Sequence, residues 1–193
     1  MRFPLLESLY LPVIFEAVVP GQLHPDGQRY LPLILLRLNA PHHPHSAAAG
    51  ITSPGLRLGV VDRHHRVDQM HVGQSGVAQL LFLLGTIRLQ APPYRQGFAP
   101  EPALPDHRAG TVPTLLGQVT AVPTWEVERA NLPYEQLFAE LLLDTGCGTV
   151  GVRSSATAGN LADVIGAAQI NPGDWIEVSR SRVDILEFDI CSG

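Results

Sequence analysis

The chain has 193 residues, 45% hydrophobic and 16% charged, with a formal net charge of −5. That composition excludes whole-chain disorder and fits one large domain or two small ones. No apolar run reaches the roughly 20 residues of a membrane helix, and Pro4, Glu7 and Pro12 interrupt any signal-peptide core, so a cytoplasmic protein without a membrane partner is expected.

The N-terminal half reads mostly as strand. Leu11–Val19 is apolar and stops at Pro20-Gly21, and Arg29–Leu38 stops before a loop containing His42, His43 and His45. Arg57–Val61 and Arg66–Val72 flank Asp62-Arg63-His64-His65, which suits a hairpin turn. Val77–Leu89 is long and apolar, with Gly85 as a bend. Ala91–Pro113 carries six prolines and reads as a linker. No internal repeat at a fixed period is found.

The C-terminal half has clearer patterning. Leu115–Val122 is a strand with Gly117 inside it, and Leu137–Asp144 and Thr149–Arg153 flank Thr145-Gly146-Cys147-Gly148. Pro133–Leu141 also has helix propensity; strand is preferred for Leu137–Asp144 because a tight strand–turn–strand unit follows. Leu161, Val164 and Ile165 have helical spacing before Gly166. Asn171-Pro172-Gly173-Asp174 is a turn signal that leads into strands Trp175–Ser179 and Arg182–Phe188.

Three pieces of this half resemble the OB-fold of replication protein A-like single-strand binders and anticodon-binding domains. They are Gly117–Val122, then Glu140–Arg153 with its Asp144-Thr145-Gly146 turn, and Pro172–Val178. The resemblance covers about two-fifths of the chain and rests on turns and strands rather than on a catalytic signature. It implies a ligand face over strands 2 and 3, between the strand 1–2 and strand 4–5 loops. On that face would stand Trp125, Arg129 and Tyr134, with Arg153 from strand 3 and Arg180 and Arg182 from the second loop. Stacked aromatics and arginine forks are the groups that hold single strands.

Charge complicates that implication. Residues 1–111 carry nine arginines against seven acids, whereas residues 112–193 carry four against eleven. Arg57, Arg63 and Arg66 of the first half are therefore added as candidate phosphate contacts. All 13 basic residues are arginine. Asp62, His64, His65, Asp68 and His71 are of metal-ligand type, but their spacing matches no established metal motif. Nucleophile elbows and phosphate loops are absent from the sequence. Cys147 and Cys191 are too few for a disulfide framework.

The expected fold is mainly β: a β-rich domain over 1–90, a Pro-rich linker over 91–111, and a five-stranded OB-like barrel with one helix over 112–193. The expected function is non-enzymatic binding of single-stranded DNA or RNA, without metal or cofactor. One alternative is an OB-like protein-interaction or assembly subunit, which the acidic second half favours. A metal-dependent enzyme using the His64–His71 region is the other.

Overall fold

The computed structural model describes residues 6–39, 49–52, 55–63, 65, 67, 71–83, 85–99, 110–123, 140–154, 165–166 and 169–191. After a short 3-10 turn at Leu6–Ser8 the chain is built of strands. These are β1 (Leu11–Val19), β2 (Leu33–Leu38), β3 (Ala49–Gly50), β4 (Arg57–Val61), β5 (Ser75–Leu83) and β6 (Thr86–Leu89). They continue with β7 (Arg95–Ala99), β8 (Thr114–Ala121), β9 (Glu140–Asp144), β10 (Thr149–Arg153), β11 (Trp175–Ser179) and β12 (Arg182–Ile190).

Alternation decides which side chains point inward. Leu11, Val13 and Phe15 of β1 are fully buried, as are Leu36 of β2, Leu58 and Val60 of β4, Leu80 and Phe82 of β5, and Val183 and Ile185 of β12. These strands close a five-stranded barrel. β1 pairs antiparallel with β2, β2 with β4, and β5 with both β12 and β1; the β4–β12 pair is parallel. Closure removes the unpaired edges that an open sheet would expose. Four strands come from the first half of the chain and the fifth from its C-terminal end.

β12 reaches that position because β5–β6 and β11–β12 form one long ribbon. Leu89 stands opposite Ile176, Thr86 opposite Ser179, Leu83 opposite Arg182 and Leu80 opposite Ile185, in the same antiparallel register on both sides of the kink at Arg180. Arg180-Ser181 is therefore not the turn of a β11–β12 hairpin. The backbone kinks there, with Arg180 at a φ of 56°, but the strand runs on into the first barrel. Gly85 faces the kink: a Cβ on it would lie 2.0 Å from Ser181 Oγ, so only glycine lets the two strands bend together.

The other strands form the path β5–β10–β9–β8–β11–β6, whose two ends are consecutive in the chain. It repeats the pairing of the first barrel. A bulge interrupts β1–β2 between Phe15 and Ala17, and another interrupts β8–β9 between Val119 and Ala121. Gly73 N–H donates to Phe15 O at 2.7 Å and Phe15 N–H to Gln74 O at 2.9 Å; Gly173 N–H donates to Val119 O and Val119 N–H to Asp174 O, both at 2.8 Å. Gly73 and Gly173 hold φ of 88° and 100°, the left-handed region that glycine adopts without strain. The two halves thus share one plan, and each gives its last strand to the other.

Several expectations change accordingly. The strands expected to form a barrel over 112–193 are present at β8 to β12, but β12 pairs with β4 and β5. Residues 91–111 include β7, which fits between Pro93 and Pro100 and pairs with β8. Arg29–Leu38 becomes strand only from Leu33, because Gln22–Tyr30 forms a separate hairpin with Leu23 bridged to Arg29. Among the described residues of 66–72, none is strand. Leu161 and Val164 lie outside the described residues. The positions expected to be interior, Val119, Val150, Val152, Ile176, Val178 and Ile185, are all buried.

A shared ribbon makes the halves unfold together. Tryptophan fluorescence, which reports only the C-terminal half, and far-ultraviolet circular dichroism, which reports both, should give coincident transitions. Phe82→Ala, at the centre of the ribbon, should shift both by about 3–5 kcal/mol; separate transitions would contradict the shared ribbon.

Candidate functional site

Four of the arginines singled out in the sequence, Arg57, Arg63, Arg153 and Arg182, fall into three groups, two of them on one sheet face. Arg153 on β10 stands beside Glu140 of β9 on one side and Leu83 of β5 on the other, and Leu83 stands opposite Arg182 of β12. In the next row Leu142, Gly151, Leu81 and Asp184 are neighbours in the same way. This face lies outside the barrel interior, because Leu80, Phe82, Val183 and Ile185 point the other way.

The chain itself covers part of the face. Leu9 is buried against Leu81, Leu83 and Leu142, with Leu6, Ala121 and Leu186 beside them. Tyr10 fixes this segment by exchanging two backbone hydrogen bonds with Thr149, at 2.9 and 2.8 Å. The lead-in to β8 does the equivalent at β4, where Gly110 accepts from Gly59 N–H at 2.8 Å and donates to Arg57 O at 3.2 Å.

Burial separates the arginines into fixed and presented groups. Arg153 is 13% exposed, and its Nε and Nη2 both meet Glu140 Oε1, on a side chain with no exposure at all. The Arg153 guanidinium is thus committed to neutralising a buried carboxylate. Arg182 forks onto Asp184 through Nε at 2.7 Å and Nη2 at 3.1 Å, and Arg63 approaches the same carboxylate at 3.6 Å. Asp184 is only 7% exposed, but Arg63 is 48% and Arg182 41% exposed. One buried anion therefore presents two cations to solvent.

Arg57 lies on β4 directly opposite Arg37 of β2, and both bond Glu16. Arg180 is exposed at the kink. Trp125, Arg129, Tyr134 and Arg66 lie outside the described residues, as do His64 and Asp68. The structure thus brings Arg63, Arg153 and Arg182 to one face and sets Arg57 in a separate cluster.

The sequence reading missed two of the acids that organise these arginines, Glu16 and Glu140. The signal was present. Glu16 follows the alternation of β1 and faces out like Arg37, and Glu140 is set opposite Arg153 by the tight β9–β10 hairpin. Leu9 had no such signal, because it lies outside any periodic segment.

Two further features complete the surroundings. Trp175 and Tyr94 stack with ring centroids 5.2 Å apart and planes at 9°, half-buried at the start of β11. Cys147 sits in the β9–β10 turn with Sγ 3.3 Å from Thr52 Oγ1. Burial pushes its thiol pKa up, the Thr52 hydrogen bond acts against that, and the Asp144 charge adds to the rise. Among the described residues no three His, Cys, Asp or Glu side chains group as a metal site, and no helix is long and apolar enough to cross a membrane. No family model, curated protein or solved structure matches the chain.

Two outcomes follow from these contacts. Arg153→Ala leaves Glu140 buried without its arginine and should cost about 3–5 kcal/mol, while the paired replacement Glu140→Leu/Arg153→Met should recover most of that. Urea unfolding of the three proteins checks it; a loss below about 1 kcal/mol for Arg153→Ala would place the pair among weak surface contacts. Iodoacetamide should label exposed Cys191 well before Cys147, and Cys147 labelling should accelerate only as pH rises above the ordinary thiol range. Equal rates at neutral pH would contradict the burial of Cys147.

Proposed function

We propose that the chain is a non-enzymatic nucleic-acid-binding protein that takes single-stranded DNA or RNA on an OB-like scaffold. The observation that carries this reading is electrostatic: Asp184 anchors Arg63 and Arg182, yet both guanidiniums stay nearly half exposed. A pinned guanidinium loses less freedom when it meets a phosphate than a free one does. The closed five-stranded barrel supports the reading, since OB barrels bind oligonucleotides. So does the positive balance of residues 1–111, because local arrangement outweighs the net charge of −5.

A second reading, an OB-like assembly subunit that binds another protein, is favoured by Leu9. This residue lies on the sheet face that an OB-type ligand would approach over β9 and β10, and residues 112–193 are strongly acidic. The two readings differ in salt dependence. For the first, a labelled oligothymidylate or oligouridylate should bind, and affinity should fall steeply between about 50 and about 200 mM salt. Replacing Arg63 and Arg182 by alanine should flatten that dependence by roughly 0.7 log units per lost phosphate contact. Absence of salt-dependent binding to either oligomer would set the nucleic-acid reading aside in favour of the assembly subunit.

A further inference from the structure

We infer that Arg37 and Arg57 form a phosphate clamp on the first barrel, with Glu16 holding both guanidiniums in place; for a nucleic-acid phosphate, the inference rests on the single-strand reading above. The two arginines are directly opposite partners in the β2–β4 ladder. Like charges at such a position repel and destabilise the sheet. Glu16 resolves the conflict. It occupies the β1 bulge, between Phe15 and Ala17, where the pairing with β2 shifts register. Its Oε1 accepts from Arg37 Nε at 2.8 Å and its Oε2 from Arg57 Nε at 2.7 Å.

This arrangement has the chemistry of an oxyanion site. Each carboxylate oxygen engages one Nε, and on Arg37 that Nε is one of five donors. Arg37 meets no further acceptor among the described residues, and its side chain is 41% exposed beside Arg57 at 40%. Glu16 is only 20% exposed, so a ligand arriving from solvent meets the cations first. Three neighbouring strands hold the three residues, β1, β2 and β4. The group that fits two pinned, planar forks is a phosphate, whose several oxygens accept from both. A nucleic-acid backbone and a free phosphate monoester present the same oxygens.

The test uses the full chain with two probes, inorganic phosphate followed by calorimetry and a labelled oligothymidylate followed by anisotropy. Arg37→Ala removes one fork and should weaken phosphate binding about tenfold or more. Arg37→Lys keeps the charge and should still lose most of the affinity, because an ammonium cannot form the fork. Arg29→Ala, another exposed arginine, should bind as the parent does. Parallel losses for phosphate and oligothymidylate at Arg37 place the clamp on a nucleic-acid backbone. Phosphate binding that depends on Arg37, with no oligothymidylate binding, keeps the clamp for a free phosphate and removes the single-strand reading. A parent that ignores phosphate, an Arg37→Ala protein that binds like the parent, or an equal loss at Arg29 overturns the clamp whatever the oligothymidylate does.

Discussion

One antiparallel ribbon ties the two ends of the fold together. Its strands, β5–β6 and β11–β12, keep a single register from Leu89 opposite Ile176 to Leu80 opposite Ile185. At one end of the ribbon β5 and β12 pair with β1 and β4 of the first half, and at the other β11 pairs with β8 of the second. Phe82, Val183 and Ile185 are consequently buried with side chains from β1, β2 and β4 as well as with those from β8 to β11. Pairing on both sides of the kink satisfies the backbone groups of these strands without a hairpin turn at Arg180, which is why the chain bends and runs on where its local sequence suggests a hairpin.

The outer surface follows from the same alternation. With most apolar residues turned inward, arginines and acids are left on the outside and meet across strands or, at Arg182 and Asp184, along one strand. The chain contains no lysine, so every such contact uses a planar fork. Where the acid is buried and the arginine is too, as at Glu140 and Arg153, the pair is structural. Where one acid holds two half-exposed arginines, as at Asp184 and Glu16, positive charge is presented in a fixed geometry. The proposed phosphate binding rests on that difference in exposure rather than on total charge.

The strands themselves were largely legible in the sequence. Arg57–Val61, Thr149–Arg153 and Trp175–Ser179 fall where alternation and turn residues put them, and the interior positions of β8, β10, β11 and β12 follow from period two. Partnership was not legible. Ser179-Arg180-Ser181-Arg182 has the length and polarity of a hairpin turn, and only the matching bend at Gly85 shows that the strand continues. The duplication also escaped a fixed-period search, because loops of unequal length separate the matching pieces. Those pieces are visible once aligned by structure: Leu58-Gly59-Val60 beside Val150-Gly151-Val152, and Gly73 beside Gly173. For the site, residue type pointed to Arg63, Arg153 and Arg182, but their different roles depend on how deeply each arginine and its acid are buried, which packing sets and residue type does not show.

Strand exchange between the halves closes the barrel and sets Arg182 and Asp184 beside Leu83 and Leu81. Nuclear Overhauser contacts between backbone protons test it directly, since antiparallel partners bring their Cα protons or amides close together. Strand exchange predicts contacts from Arg182 to Leu83 and from Glu177 to Arg88. Contacts from Trp175–Ser179 to Arg182–Leu186, the pattern of a local hairpin, would contradict it.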